Sequence, residues 1–242
     1  MILRLATLAL LAAAPAAAQV GIDPSRSPYR EQPFPFAVTP TVGYFGGSGG
    51  KYGVGPHDGI MYGGRFQFRA NKSTSFGAGV SYGTLTRRWL DPFVSLDERD
   101  KGDVDQGVLI AEAMLQLNIT GGKTWRRMSP FLGFSAGAAF AEQTPAADTS
   151  GYDFGVRFTF APFIGVRLAP TSRVSIRLEA RSNVWKIPYP DSFREEPPEQ
   201  PGTPEFPNAI VKDGSTGEWS LSAGAANFAP RAVGKENPRV AK

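Results

Sequence analysis

Between Phe36 and Phe228 the chain alternates apolar and polar residues in eight stretches, joined by connections that run long, short, long, short. A period of two sends successive side chains to opposite faces of a strand, so each stretch predicts a strand with one apolar face. The predicted strands are 36–45, 60–70, 75–88, 106–119, 130–142, 152–168, 173–187 and 217–228. Short turns are expected at Asn71 to Thr74, at Thr120 to Ser129 with Gly121 and Gly122, and at Ala169 to Ser172 with Pro170. Long connections fall at 46–59, 89–105, 143–151 and 188–216. Every short turn follows an even-numbered strand, which gathers all long loops at one end. The expected fold is all-β: an eight-stranded antiparallel up-and-down β-barrel.

Which face points inward decides between a transmembrane barrel and a soluble, secreted lipid-binding one. In the second predicted strand Tyr62, Phe66 and Phe68 oppose Arg65, Gln67 and Arg69. In the sixth, Phe154, Val156, Phe158, Phe160, Ile164, Val166 and Leu168 oppose Arg157, Thr159, Gly165 and Arg167. In the seventh, Val174, Ile176, Leu178, Ala180 and Val184 oppose Ser175, Arg177, Glu179, Arg181 and Asn183. An arginine facing lipid at mid-bilayer costs about 2 to 4 kcal/mol, so a one-residue slip is prohibited. Tyr44, Tyr62, Tyr82, Trp89, Phe140, Tyr152, Trp185 and Trp219 sit near strand ends, as interfacial girdles require. The polar faces also alternate large with small. Ser75, Gly77, Gly79, Ser81 and Gly83 line the third strand, and Gly133, Ser135, Gly137 and Ala139 the fifth. Parity across the second hairpin sets Arg69 near Ser75 and Arg65 near Gly79, which suits a filled narrow interior. The polar face therefore points inward and the barrel is transmembrane.

Residues outside the barrel define the organisation. Residues 1–18 carry Arg4, an apolar run from Leu5 to Ala14 and the small-residue site Ala16-Ala17-Ala18, the pattern of a cleaved signal peptide. Residues 19–35 hold Pro24, Pro28, Pro33 and Pro35 and read as a proline-rich N-terminal arm without secondary structure. The barrel occupies 36–228, and a basic tail runs from Ala229 to Lys242. After the leader no apolar run reaches the roughly 18 to 20 residues of a membrane-spanning helix, so a membrane chain must cross with strands. The chain has no cysteine, which excludes disulfides, thiolate metal sites and an acylated N-terminal cysteine.

In strand pattern, loop asymmetry and arginine-bearing interior, the chain resembles the small eight-stranded outer-membrane barrels that form the transmembrane domain of OmpA and the whole of OmpX. The resemblance covers about residues 36–228. It implies signal-peptide-directed export, insertion in the bacterial outer membrane by that membrane's assembly machinery, and lipid and lipopolysaccharide as surroundings. Family chains end on an aromatic residue that the machinery reads, and Phe228 takes that position here. It differs in parity from Trp219, Leu221, Ala223 and Ala225 and precedes the basic tail. That tail, 14 residues long, is too short for the periplasmic peptidoglycan-binding domain of OmpA-like proteins.

The candidate functional residues form an interior network of Arg65, Arg69, Glu112, Arg157, Arg167, Arg177, Glu179 and Arg181, supported by Gln67, Gln116 and Asn118. Eight strands enclose just enough space for side chains, so the expected role is a structural plug in a protein that works through its loops. The competing reading is a narrow channel or transporter, preferring anions because basic residues outnumber acidic ones. Arg87 and Arg88 are candidate lipopolysaccharide contacts. Asp97, Glu98, Asp100, Asp103 and Asp105 read as solvated loop charge without metal-loop spacing. The fourth long loop, with Pro188, Pro190, Pro197, Pro198, Pro201, Pro204 and Pro207, is a candidate surface for an extracellular partner. No catalytic residue, metal or cofactor is expected. The single histidine, His57, stands beside Asp58, without the nearby serine that a lipid-A-modifying acyltransferase would need. A net charge of +4 implies no nucleic-acid partner, because no nucleic-acid module accompanies it.

Overall fold

A computed structural model describes residues 27–32, 35–94, 96–144, 148–170, 175–194, 209–211 and 215–225. The signal peptide, most of the arm, Phe228, the basic tail and most of the proline-rich fourth loop lie outside the described residues. The structure is an all-β antiparallel sheet with almost no helix. Its strands are β1 (Tyr29–Glu31), β2 (Phe36–Gly47), β3 (Gly59–Arg69), β4 (Thr74–Leu90), β5 (Asp100–Asn118), β6 (Lys123–Trp125), β7 (Met128–Ala141), β8 (Val156–Leu168), β9 (Ile176–Pro188) and β10 (Gly217–Ala225). A 3₁₀ turn at Leu96–Glu98 and the four-residue helix α1 (Asp191–Arg194) complete it.

The strands follow the order β1-β6-β7-β5-β4-β3-β2-β10-β9-β8, and β7 pairs with β8 as well. That last ladder runs from Met128↔Leu168 to Phe140↔Val156. Register agrees with the parity read from the sequence: Arg65 pairs with Gly79 and Arg69 with Ser75. The sheet has an inverted burial pattern. On β3, Arg65 and Gln67 are 5% and 3% exposed, whereas Phe66 and Phe68 are 47% and 46% exposed. On β8, Val156, Phe158, Phe160 and Ile164 face outward while Thr159, Ala161 and Phe163 are buried.

Several boundaries depart from the sequence reading, each for a local reason. β8, the sixth predicted strand, starts at Val156 rather than 152, because Gly155 adopts φ 58° and turns the chain. Phe154 is consequently tucked inside, fully buried, instead of sharing the outward face of Val156 and Phe158. β5, the fourth predicted strand, begins at Asp100 rather than 106, since β4 and β5 stay paired past an irregularity between Arg88 and Leu90. Asp100, Asp103 and Asp105 thus belong to a strand. The expected turn at Thr120 to Ser129 contains β6, whose hairpin to β7 closes with the Trp125↔Met128 pair around Arg126 and Arg127. The arm, expected to lack structure, supplies β1, which pairs with β6 from Tyr29↔Trp125 to Glu31↔Lys123.

Candidate functional site

Odd-numbered residues of β3, β4, β7, β8 and β9 and even-numbered residues of β5 share the enclosed face. Two glutamates organise the arginines on that face. Glu179 accepts from Arg65 at 2.9 and 3.2 Å and from Nε of Arg177 at 2.8 Å, and the Arg177 Nη2 bonds it too. Glu112 accepts from Arg181 at 2.8 and 2.9 Å, takes the Ser135 hydroxyl at 2.7 Å and lies 3.5 Å from Arg65. A ladder of amides continues the network. Arg177 donates to Gln67 at 3.1 Å and to Gln116 at 2.6 Å, Gln67 donates to Gln116, and Gln116 donates to Asn118. Arg167 donates to Gln67 at 3.1 Å. Ionised groups held this way satisfy one another where water is scarce, so each retained pair matters more than a surface pair would.

Of the eight network residues expected from the sequence, six are joined in this cluster: Arg65, Glu112, Arg167, Arg177, Glu179 and Arg181. Arg69 lies toward the short-turn end and donates to the backbone oxygen of Gln32 at 3.1 Å and to its Oε1 at 3.3 Å. Arg157 stands apart, its Nε donating to the Phe154 carbonyl at 2.7 Å. A cavity of about 60 Å³ beside the cluster is lined by Arg65, Glu112, Glu179, Arg181 and Asn183, among others.

Two inward phenylalanines, absent from the sequence reading, complete the cluster. Phe131 on β7 pairs with Gly165 on β8, and Gly133 on β7 pairs with Phe163 on β8. A Cβ on Gly165 would come within 2.5 Å of the Phe131 ring, and one on Gly133 within 2.7 Å of the Phe163 ring. Each ring therefore occupies space that the facing glycine leaves open. The guanidinium of Arg177 lies over both rings, 3.9 Å from the centre of Phe131 and 5.5 Å from that of Phe163. Such stacking offsets part of the cation's lost hydration.

Toward the long-loop end the enclosed face turns apolar. Phe45, Leu85, Val108, Ile110, Trp185 and Ile187 project from strands, and Val54, Tyr152, Phe154, Tyr189, Phe193 and Val211 fold in from the connections. Trp185 stacks on Phe45 at 5.2 Å and meets Phe154 edge-on at 5.4 Å. Trp185 and Tyr152 thus leave the expected interfacial girdle, whereas Tyr44, Tyr62, Tyr82, Phe140 and Trp219 stay exposed on the outward face.

Arg87 and Arg88, expected together as lipopolysaccharide contacts, point opposite ways. Arg87 is buried, 1% exposed, and bridges Asp148 under the Tyr152 ring. Burial removes it from any surface contact. Arg88 is exposed and bonds Asp100 through Nε at 2.9 Å. That bond, with the Gly102 backbone N–H, holds the Asp100 carboxyl below the usual carboxylate range. His57 Nδ1 lies 3.1 Å from the Gly55 carbonyl oxygen, and Asp58 accepts from the Tyr44 hydroxyl at 3.1 Å. Among the described residues no group of three His, Cys, Asp or Glu side chains is gathered for a metal ion.

No family model matches the chain, and no curated protein matches it. Among solved structures it is similar to the crystal structure of the outer membrane protein OprG from Pseudomonas aeruginosa, at 9% identity and a TM-score of 0.43, over 81% of this chain and 91% of that one.

Proposed function

We propose that the chain is an integral outer-membrane protein: a closed eight-stranded transmembrane β-barrel with a plugged interior and long loops as its working surface. The observation that carries this reading is the inversion of faces. Phenylalanines, valines and isoleucines of β2, β3, β4, β7 and β8 point outward while arginines and glutamates are enclosed. In water that arrangement would expose the apolar area that folding normally removes, whereas in a bilayer the apolar face is the solvated one. The ladders support closure, since β8 pairs with β9 on one side and with β7 on the other, as a ring of β2 to β5 and β7 to β10 requires. β2 to β5 and β7 to β9 are each at least 11 residues long. A tilted strand of roughly 9 to 11 residues spans a bilayer.

In this reading residues 1–18 direct export and Phe228 is the aromatic signal for the assembly machinery. Exposed Arg88 contacts lipopolysaccharide phosphates, and an extracellular partner would meet the long loops. The channel alternative has less support, because side chains fill the interior at two levels: the Arg177 cluster and the apolar layer around Trp185. Planar-bilayer recording of the refolded chain tests the plug, alongside heat-modifiable gel migration and carbonate-resistant membrane pelleting. Inserted, heat-modifiable protein that stays electrically silent is expected. Reproducible anion-selective steps would replace the plug with a pore, and extraction as a free soluble protein would remove the membrane reading.

A further inference from the structure

In the proposed ring, β2 and β7 lie opposite each other. Three strands separate them either way, β3, β4 and β5 in one direction and β10, β9 and β8 in the other. The chain just before β2 nevertheless binds on the β7 side. Pro35 receives the Arg69 N–H at 2.7 Å beside β3, whereas β1 pairs with β6, which hairpins into β7. The Arg126 N–H reaches back to the Pro28 carbonyl at 2.9 Å, and the Thr124 hydroxyl donates to the Arg30 carbonyl at 3.2 Å. Residues 27–32, which lead toward β2, are therefore bonded at the wall opposite it, and the crossing runs through Gln32.

Gln32 is the centre of this crossing and is buried. Its backbone N–H donates to the Gly122 carbonyl at 2.8 Å, its Nε2 donates to Ser129 Oγ on β7, and it accepts twice from Arg69 on β3. One side chain thus ties two walls together, directly below the layer that holds Gln67, Arg167 and Arg177. The attachment is slight. β1 has three residues, β6 meets β7 at one residue pair, and no residue of 27–32 belongs to a buried apolar cluster. Segments with few buried apolar contacts open well before the fold does. A cleft of about 370 Å³ already lies beside the crossing, lined by Glu31, Gln32, Arg69, Lys72 and Lys123 with the Gly121-Gly122 turn.

We propose that residues 27–32 are a latch across the short-turn mouth, and that its release opens an arginine-lined vestibule that accepts small anions such as carboxylates or phosphates. The proposal rests on the barrel reading above. Between this mouth and the apolar layer, five arginines (Arg65, Arg69, Arg167, Arg177, Arg181) face two glutamates (Glu112, Glu179), so the exposed chamber carries net positive charge. The apolar layer around Trp185 closes the far end, which makes the opened space a one-ended pocket.

The chain's lack of cysteine allows a direct test. Ser75→Cys places a thiol on the enclosed face beside Arg69. The refolded protein in detergent is treated with an anionic or a cationic methanethiosulfonate, in the otherwise unchanged chain and in versions that add Gln32→Ala or Arg30→Pro. Heat-modifiable migration identifies the folded fraction of each. Loosening the latch is expected to speed modification by the anionic reagent about tenfold, and by the cationic reagent less. Equal anionic rates with and without the substitutions, in heat-modifiable protein, would overturn the latch. Equal acceleration of both reagents would overturn the anion preference. Absence of heat-modifiability in the unsubstituted chain would overturn the barrel reading and the latch with it.

Discussion

The guanidinium carbon of Arg177 sits 3.9 Å from the centre of the Phe131 ring, and the same group is bonded at its edge to Glu179, Gln67 and Gln116. Protein groups occupy both the face and the edge of this cation. Its carboxylate partner is the more exposed to loss, because Glu179 also serves Arg65 and lies 3.8 Å from Arg181.

That asymmetry predicts the order of two substitutions. Glu179→Gln leaves two buried arginines without their main counter-charge and should cost about 3 to 5 kcal/mol, the range for breaking a buried pair. Arg177→Met keeps apolar contact with Phe131 and leaves Glu179 paired to Arg65, so its cost should be smaller. Urea unfolding of the refolded variants in lipid vesicles measures both. A larger loss for Arg177→Met would mean that packing rather than charge holds the layer.

The β6–β7 hairpin predicts a gain. Arg126 and Arg127 have φ of 48° and 68°, the left-handed region that both central residues of a two-residue type I′ turn require. A side chain there costs about 1 to 2 kcal/mol. Arg127→Gly should therefore stabilise the fold by about 1 kcal/mol, reduced by the loss of the hydrogen bond that Arg127 donates to the Pro170 carbonyl at 3.2 Å. The same unfolding assay reads the sign.

These two arginines also show where the sequence stops being legible. A Trp-Arg-Arg-Met segment has none of the Gly or Asn that announces such a turn, so the sequence signals neither β6 nor a partner strand for the arm. Register, by contrast, was readable, because period two and the tight β3–β4 hairpin leave one parity for Arg65, Gly79, Arg69 and Ser75. Trp185 obeys that parity as well, against its expected place in the girdle. It follows Arg177, Glu179, Arg181 and Asn183 on the enclosed face of β9, so its position and not its aromatic chemistry decides where it lies. The signal was in the numbering: one face can change from polar to apolar along its length. Phe154 shows a different limit, since one glycine turn at 155 reverses the face on which it lands.

Arg88 and Asp100 give the pH prediction. On β4 the outward residues Phe76, Val80 and Tyr82 give way to Thr84 and Arg88, so the pair lies beyond the apolar band. The Asp100 carboxyl is depressed, first by the Arg88 hydrogen bond and then by the Gly102 N–H. A depressed carboxylate contributes stability above its unfolded pKa, and that contribution disappears as pH falls through the lower folded value. Both side chains are roughly half exposed, so the effect on global unfolding is small. The local effect is the measurable one. Arg88→Ala should raise the Asp100 titration midpoint toward that of an ordinary aspartate in carboxyl-carbon NMR. An unchanged midpoint would leave Gly102 as the sole cause.

Trp185 and Trp219 lie on adjacent strands and provide the sharpest check on which face meets lipid. Trp185 is fully buried against Phe45 and Phe154, while Trp219 is 68% exposed on β10. Trp219 pairs with Lys186, one residue along β9 from Trp185, so the two indoles stand at nearly the same height on opposite faces. Depth in the membrane therefore cannot separate them, and only the face can. Two single-tryptophan chains, each retaining one of these residues and carrying Phe at the other three tryptophan positions, would be refolded into vesicles containing brominated lipid. Trp219 fluorescence should be strongly quenched and Trp185 largely spared, because bromine quenches nearly at contact and the sheet intervenes. Quenching of Trp185 with sparing of Trp219 would reverse the faces and return the chain to a soluble, apolar-cored barrel. Equal quenching of both would mean that the strands do not hold the ring of pairings on which the interior network depends.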